Sequence, residues 1–223
     1  MTRCLNIAES TNMMNAIKKH VMNVSRTRKL EQFYTLCKGG RVLDVGVSAE
    51  SRVTGENMFL ETFRFPDDCY TGLGVMDLTN LQLSHPKKRM VTYPGGRFPF
   101  EDKSFDWVFS NAVVEHVGDD AAQLLFINEM LRVAKHVYFT TPNKYFPVES
   151  HTNAILLHWL PGDVFYAWCA RRRDTRYWDR KNLYLFDFRR LERTIKASNA
   201  RTYKIIKNRL FGWPMTFSVV CTS

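Results

Sequence analysis

The strongest constraint on the fold is a regular alternation of short apolar runs with helical patterns between residues 40 and 143. The runs that we predict as buried strands are Arg41–Val47, Tyr70–Val75, Lys88–Thr92, Phe105–Ser110 and His136–Thr141. Apolar residues at helical spacing lie between some of them, at Asn57–Phe63 and Ala112–Ala134. Because parallel neighbours need a crossover that is normally a helix, this alternation predicts an α/β fold with a doubly wound, mostly parallel sheet.

The remaining segments fit around this sheet as parts of one domain, residues 1–223. An amphipathic helix at Met13–Leu36 is predicted within an N-terminal segment, 1–39, that precedes the core, 40–143. A Pro- and aromatic-rich insertion, 144–182, follows the fifth strand, where a substrate cap would sit. The C-terminal part, 183–223, is predicted to hold a helix and two strands, at Asp187–Ser198, Thr202–Ile206 and Met215–Val220.

Cysteine usage and hydropathy indicate a reducing compartment. The five cysteines are widely scattered and form no C-x-x-C pair, so we expect reduced thiols rather than disulfides or a zinc site. No run of about 18 apolar residues is present, and the first ten residues are too polar for a secretory signal. We therefore expect a cytoplasmic location.

The net charge of +10 is concentrated in one region. Residues 171–209 contain 14 Lys and Arg against 4 Asp and Glu, while the rest of the chain has 18 of each. An aromatic stretch, Val164–Trp168, runs directly into this basic region. The combination fits a contact with an anionic membrane surface or with RNA over residues 164–209, and it equally fits an amphipathic helix with a solvated basic face.

Two carboxylates end successive predicted strands. Asp44 stands before Gly46 at the end of the first strand, and Asp77 follows the second about thirty residues later. Nucleotide-binding α/β domains place an acid at the latter position to accept hydrogen bonds from ribose hydroxyls. The alternative is purely structural, with Asp44 capping a turn and Gly46 adopting a tight bend.

The segment Phe98–Val117 resembles the "LPF-x-D-x-SFD-x-V-x-S-x-x-x-EH" signature of class I S-adenosylmethionine methyltransferases of the type 11 kind. Asn128–Val133 and Phe139–Asn143 are also similar to that family. The resemblance covers about residues 40–143. It implies a Rossmann-like sheet of the class I methyltransferase type with a helical insertion after the fifth strand, S-adenosyl-L-methionine as the cofactor, and methyl transfer as the reaction.

The resemblance also implies which residues bind the cofactor at the ends of the first, second and fourth strands. These are Asp44, Gly46, Val47, Ser48, Asp77, Leu78, Gly95, Gly96, Arg97, Ser110, Asn111 and Ala112. Two departures bear on this assignment. Further glycines of the family loop are replaced by Val47-Ser48-Ala49-Glu50-Ser51, so Ser48, Glu50 or Ser51 would supply contacts, and Pro94 stands where relatives carry an acid.

Methyl transfer mainly requires alignment, and a hydroxyl or amine acceptor also needs a base. The candidate catalytic residues are His116 and His151, and the candidate acceptor-binding residues are Asn143, Glu149 and His158. Since no third ligand at helical spacing accompanies Glu149 and its histidines, we expect no metal. The sequence leaves the acceptor open among a small metabolite, a saccharide- or lipid-linked intermediate, and RNA.

A second hypothesis belongs to a different class. The altered glycine loop is also compatible with a catalytically silent methyltransferase homologue that binds nucleic acid or an anionic membrane through its basic C-terminal region. The two hypotheses differ in whether the protein binds S-adenosylmethionine.

Overall fold

The computed structural model describes residues 2–49, 55–175 and 177–223. Its sheet is formed by β1 (Val42–Val45), β2 (Tyr70–Gly74), β3 (Arg89–Thr92), β4 (Phe105–Asn111), β5 (Ala134–Pro142), β6 (Thr202–Leu210) and β7 (Trp213–Thr222). The spatial order is β3-β2-β1-β4-β5-β7-β6. The first five strands are parallel, and β7 runs antiparallel to both β5 and β6. The prediction of a doubly wound, mostly parallel sheet is confirmed.

Six α-helices surround the sheet in the described ranges: α1 (Thr2–Leu36), α2 (Met58–Glu61), α3 (Thr79–Ser84), α4 (Asp120–Val133), α5 (Gly162–Ala170) and α6 (Phe188–Ala197). Short 3-10 helices lie at Asp67–Cys69, Val114–His116 and Leu157–Trp159. The helix predicted at Met13–Leu36 is longer and begins at Thr2. The helix predicted at Asp187–Ser198 is confirmed, with Asp187 as its cap accepting from the Arg190 N–H at 2.9 Å.

The prediction of one helix over Ala112–Ala134 is wrong in its first third. Ala112 and Gly118 have φ of 58° and 119°, so no α-helix runs through them. The chain forms the 3-10 turn at Val114–His116, and α4 starts only after Asp119, whose carboxylate accepts from the Ala122 N–H at 3.0 Å. The cap and the glycine therefore divide a segment whose apolar spacing looked continuous.

Alternate residues along each strand pack on opposite faces of the sheet. Leu43 and Val108 join the cluster under α4 and α6, whereas Val42 and Trp107 join the cluster under α1. At the centre of the α1 face lies Phe33, whose ring centroid is 5.2–5.7 Å from those of Phe59, Trp107, Phe109 and Tyr138. Burial of these aromatic rings fixes α1 against the sheet.

Helix α1 also reaches beyond the sheet in two directions. The Lys18 ammonium donates to the Ser150 carbonyl of the insertion at 2.9 Å. Near the end of the helix, the Gln32 amide donates to Asn208 of β6 at 2.8 Å. The helix thus connects the insertion to the C-terminal hairpin across the edge of the sheet where the parallel strands end.

The insertion has a small core of its own, formed by Ala154, Phe165, Cys169, Leu183 and Leu185. Its helix α5 buries Phe165 and Cys169, while Val164 and Arg171–Arg173 are exposed. No helix in the described part of the chain has the length and apolar character required to cross a bilayer.

Candidate functional site

A cleft of about 410 Å³, partly open to solvent, lies at the carboxyl ends of β1 and β4. Its lining includes four of the predicted cofactor residues, Asp44, Gly46, Val47 and Asn111. Parallel α/β sheets bind their ligands beyond the carboxyl ends of the strands, which is where this cleft lies. The position agrees with the family expectation for the methionine end of the cofactor.

Asp44 is buried beneath α1 and accepts a hydrogen bond from the Tyr70 hydroxyl at 2.6 Å. Burial raises the pKa of this carboxyl to about 7, and the bond from Tyr70 offsets part of that effect. The carboxyl group is therefore close to half ionised at neutral pH. A cationic ligand in the cleft would favour the ionised form.

The turn after β1 contains one glycine, Gly46, where the family loop has several. Gly46 has φ of 101°, and a Cβ there would lie 2.2 Å from a methyl group of Val113. Val47 is buried, and glycines on the neighbouring strand make room for it. A Cβ on Gly72 would lie 3.1 Å from the Val47 side chain, and one on Gly74 would lie 2.3 Å from its carbonyl oxygen. The glycines that the loop lacks are thus partly replaced by glycines of β2.

Ser48 continues this turn and is held by Asn57, whose amide oxygen accepts from the Ser48 N–H at 3.1 Å and whose amide nitrogen donates to the Ser48 carbonyl at 2.8 Å. Asn57, the residue that precedes α2, thus holds the turn through two hydrogen bonds. Glu50 and Ser51, the other candidate contacts of the altered loop, lie outside the described residues.

Asp77 lies just past β2 at the same edge of the sheet, with its side chain exposed. One carboxylate oxygen accepts from the Thr79 N–H at 3.0 Å and the Thr79 hydroxyl at 2.6 Å. These bonds lower the pKa of Asp77, so the group is ionised at neutral pH. The second oxygen is not used in these two bonds and is the candidate acceptor for ribose hydroxyls.

The candidate adenine-side residues follow β3, which pairs with β2 through Thr92. Leu78 is buried, and its N–H donates to the Thr92 hydroxyl at 3.3 Å. Gly95 and Gly96 have positive φ with open space around them, and Arg97 is exposed. None of Asp77, Leu78 and Gly95–Arg97 lines the described cleft, so the structure brings them to the adjoining strand ends rather than into the same concavity.

The exit of β4 has unusual backbone and side-chain geometry. Ala112 adopts φ of 58°, and its N–H donates to the Thr140 carbonyl at 3.0 Å. Asn111 accepts from the Thr140 hydroxyl at 2.8 Å, while the buried Ser110 hydroxyl has no hydrogen-bond partner among the described residues. Left-handed alanine and an unsatisfied buried hydroxyl both carry a free-energy cost that is typical of binding sites.

Sequence reasoning missed the wall that α1 provides. Arg26 and Leu30 line the cleft, as does Glu56, which interacts electrostatically with Arg26. Burial lowers the pKa of Arg26, yet a guanidinium stays charged at any physiological pH. Helical periodicity showed only that α1 had an apolar side. It could not show which basic residue would face the strand ends.

Comparison with known proteins identifies the fold of the chain. Residues 75–137 match the methyltransferase domain family, whereas no curated protein matches the sequence. The structure is similar to that of an S-adenosylmethionine-dependent methyltransferase from Methanosarcina mazei, with 14% identity and a TM-score of 0.57 over 83% of this chain and 93% of that one. A possible histamine N-methyltransferase from Thermotoga maritima gives 12% identity and 0.54 over 87% of each chain. A Pyrococcus horikoshii protein gives 16% and 0.55 over 90% of each chain.

The chain has the fold of class I methyltransferases, and its residues 75–137 match the methyltransferase domain family. At these low identities the solved structures establish the fold, and the matched segment adds the residues that follow β2 and β4. S-adenosyl-L-methionine is the cofactor that this family implies. The acceptor is not identified by any of these similarities.

The structure also brings the predicted residue His116 together with Glu149 and His151 of the insertion. Glu149 accepts from the Nδ1 of His151 at 2.6 Å, and the Nε2 atoms of His151 and His116 are 3.1 Å apart. His116 Nδ1 lies 2.7 Å from the Asn182 carbonyl oxygen. The Trp178 ring packs on both imidazoles, with centroids 5.6 and 5.1 Å away. We call Glu115, His116, His151 and Glu149 the histidine cluster.

Electrostatics hold Glu149 as a carboxylate. Burial raises its pKa, but hydrogen bonds from His151 and Thr152 outweigh burial and lower the pKa of Glu149 to about 2. Burial has the opposite effect on His151 and lowers its pKa. The adjoining Glu149 carboxylate more than offsets this effect, so the pKa of His151 is raised. The pair is a carboxylate that orients an imidazole.

The other two candidate acceptor residues are engaged in internal hydrogen bonds. Asn143 donates to the Pro214 carbonyl at 2.8 Å and accepts from the Tyr145 N–H at 3.1 Å. His158 is buried, and its Nε2 donates to the Phe146 carbonyl at 2.8 Å. Asn143 connects the start of the insertion to β7, whereas His158 bonds within the insertion, and their assignment to acceptor binding stays a prediction.

Proposed function

We propose that this protein transfers the methyl group of S-adenosylmethionine to a hydroxyl or amine of an anionic acceptor. The observation that carries the proposal is the position of β4. Its exit lines the cleft at Asn111 and, four and five residues later, supplies Glu115 and His116 of the histidine cluster. Cofactor and acceptor would therefore meet at this one strand end.

The chemistry asks mainly for alignment. The S–CH₃ bond breaks as a bond from the acceptor oxygen or nitrogen forms, the sulfur keeps the electron pair, and S-adenosylhomocysteine leaves. The acceptor loses a proton in the same event, and we assign the histidine cluster, which contains His116 and His151, to that side of the reaction. Holding the cofactor and the acceptor close together and aligned can lower the barrier by about 7 to 11 kcal/mol.

An anionic acceptor is favoured by the charge of the region beside the insertion. Arg171–Arg173 are exposed at the end of α5, within the basic region 171–209. A positive surface raises the local concentration of anions near the cleft. The test is a panel of hydroxyl acceptors with and without a phosphate group, assayed by S-adenosylhomocysteine release. We expect faster release with the phosphorylated members, and equal rates would contradict the anionic assignment.

Removing the carboxylate of Asp77 tests the cofactor site directly. We expect Asp77→Ala to weaken S-adenosylmethionine binding by about 10- to 100-fold, because hydrogen bonds to a charged group contribute about 1.5 to 3 kcal/mol. The measurement is calorimetric titration with S-adenosylmethionine and, separately, S-adenosylhomocysteine.

Thr79→Ala is the matched control for Asp77→Ala. It removes the hydroxyl that Asp77 accepts from but leaves the carboxylate for a ligand. We expect its affinity to stay within about threefold of wild type. No heat and no thermal stabilisation with wild-type protein and either ligand would refute the proposed function.

Arg26 gives a second prediction, since its guanidinium lines the end of the cleft near Asp44 and Gly46. We expect it to bind the carboxylate of the methionine moiety. Arg26→Gln should weaken S-adenosylhomocysteine binding by at least about tenfold, because a charge-assisted hydrogen bond is lost. Binding of 5′-methylthioadenosine, which lacks the amino-acid group, should change little.

The control for Arg26→Gln is Arg28→Gln, an exposed arginine on the same helix. It should leave both affinities unchanged. Equal losses for S-adenosylhomocysteine and 5′-methylthioadenosine in Arg26→Gln would show that Arg26 supports the cleft wall rather than the carboxylate.

A further inference from the structure

Three ligand atoms of the histidine cluster converge on one point. A carboxylate oxygen of Glu115, Nε2 of His116 and Nε2 of His151 all lie within 4.8 Å of one another. Glu115 is completely buried, and the two imidazoles are partly exposed. Two imidazoles and one carboxylate form a ligand set typical of zinc and other divalent transition metals.

The hydrogen bonds on the far side of each ring determine what the converging nitrogens can do. A carbonyl oxygen can only accept, so the proton of His116 is on Nδ1, toward Asn182. Glu149 is a carboxylate, so His151 also carries its proton on Nδ1. In the neutral rings both Nε2 atoms therefore present lone pairs to each other at 3.1 Å. Two lone pairs at that distance repel each other, and either a proton on one ring or a metal ion bound by both rings removes the repulsion.

Glu115 supplies an independent observation. Its Oε2 accepts from the Thr141 hydroxyl at 3.0 Å, which orients the carboxylate. Its Oε1 is buried, lies 4.0 Å from His116 Nε2 and has no hydrogen-bond partner among the described residues. The buried Lys29 ammonium of α1 acts on Glu115 through its charge but does not satisfy this oxygen with a hydrogen bond. An unsatisfied buried carboxylate oxygen carries a large free-energy cost.

We propose that Glu115, His116 and His151 bind a divalent transition metal ion of the zinc class. Ligand nitrogens about 2.0–2.1 Å from such an ion lie roughly 2.9–3.4 Å apart at angles between octahedral and tetrahedral, which includes the observed 3.1 Å. The Glu115 oxygen, 4.0 Å from His116 Nε2 and within 4.8 Å of His151 Nε2, completes the set by moving toward the nitrogens by roughly 1.5 Å, which requires an adjustment of its side-chain torsions. The third ligand that sequence spacing did not supply comes from the residue before His116.

The outer contacts are those that metal sites use to orient their ligands. Each imidazole donates its other N–H to an oxygen, Glu149 for His151 and Asn182 for His116, and the ligating carboxylate is held by Thr141. Mg²⁺ and Ca²⁺ prefer all-oxygen ligand sets and are disfavoured here. Three protein ligands leave at least one coordination position for water or an acceptor oxygen.

The site is tested with Co²⁺ and Zn²⁺ on the purified full chain without cofactor. We expect wild-type protein to bind about one Co²⁺ with visible absorption, to lose that absorption on addition of Zn²⁺, and to be unaffected by excess Mg²⁺. Co²⁺ should also quench Trp178, so quenching should be largely absent in Trp178→Phe while the absorption persists.

Variants separate a metal site from a structural cluster. His151→Ala and the isosteric Glu115→Gln should each weaken Co²⁺ binding at least about tenfold, and Glu149→Gln about 10- to 100-fold through the outer contact. His85→Ala, on a histidine at the end of α3, should bind like wild type. Circular dichroism identifies any variant that fails to fold. The Co²⁺ affinities of the variants that do fold then decide between a metal site and a structural cluster.

Equal Co²⁺ affinity in wild type, His151→Ala and Glu115→Gln would overturn the proposal, as would the absence of Co²⁺ and Zn²⁺ binding to folded wild type. In the latter case the cation between the imidazoles is a shared proton. Because no cofactor is present, failure here leaves the proposed methyl transfer untouched, and failure of S-adenosylmethionine binding would leave the metal site untouched.

Discussion

Replacing Gly46 with alanine should lower the midpoint of thermal unfolding by roughly 6 to 12 °C and remove measurable cofactor binding. The reason is twofold: φ of 101° is costly for a residue with a Cβ, and that Cβ would lie 2.2 Å from a Val113 methyl group. Rotation of Val113 gives little relief, since its Cβ and other methyl group would both be at 3.3 Å and valine is stiff at χ1. Backbone strain and overpacking together cost about 3 kcal/mol.

Two variants divide this effect into its parts. Gly95→Ala introduces a Cβ at a similar φ of 96° with no atom within 4 Å, so it should cost only the backbone strain, about 1 to 2 kcal/mol. Gly46→Ala combined with Val113→Ala should recover part of the stability but not the binding, because the new methyl group lines the cleft. Equal losses in Gly46→Ala and Gly95→Ala would contradict the close packing of Val113 on Gly46.

Asp44→Asn should make the cofactor-free protein more stable than wild type at pH 8, and the difference should vanish below about pH 4. An unfolded aspartate has a pKa of about 3.9, whereas burial raises the pKa of Asp44 to about 7 in the folded state. The stability that the protonated form gives is complete below the unfolded pKa and is lost as the pH rises to about 7. At one unit per 1.36 kcal/mol, the gain above pH 7 is at most on the order of 4 kcal/mol. Urea denaturation at several pH values measures it.

Asp106→Asn is a control of opposite sign. Hydrogen bonds from Lys135 and the Arg41 N–H lower the pKa of Asp106, so its contribution is present above the unfolded pKa and lost as the pH falls. Asp106→Asn should therefore be less stable than wild type at pH 8 and similar at low pH. If both variants shifted in the same direction, the buried environment of Asp44 would not be the cause.

The succession of strands along the chain could be predicted because each strand has its own local signal in the sequence. A short apolar run such as Phe105–Ser110 predicts a buried parallel strand, and a capping residue such as Asp187 predicts where a helix begins. The helix over Ala112–Ala134 failed for a reason that is equally local. Asp119 and Gly118 interrupt it, and the apolar spacing of Val113 and Val117 concealed that interruption.

The site was harder to predict because it depends on contacts between distant segments. Sequence position identified Asp44, Gly46 and Asn111 as cleft residues, and it identified His116, His151 and Glu149 one at a time. Their assembly required the insertion to fold back on β4, bringing together residues 35 positions apart. Arg26 had no local signal at all, since its role depends on where a helix that precedes the sheet finally packs.

The packing of α1 has a consequence for how the protein is made. Tyr138 of β5 bonds both to Gln32 of α1 and to Ser218 of β7, at 3.0 and 2.9 Å, and Gln32 also bonds to Asn208 of β6. A ribosome releases the segment of α1 first and the β6–β7 hairpin much later. During that interval β5 is an unpaired edge, and the helix has only part of its docking surface. The wall that α1 adds to the cleft is therefore fully docked only after the β6–β7 hairpin has been synthesised. A prematurely terminated chain would contain α1 but would lack the hairpin that completes its docking surface.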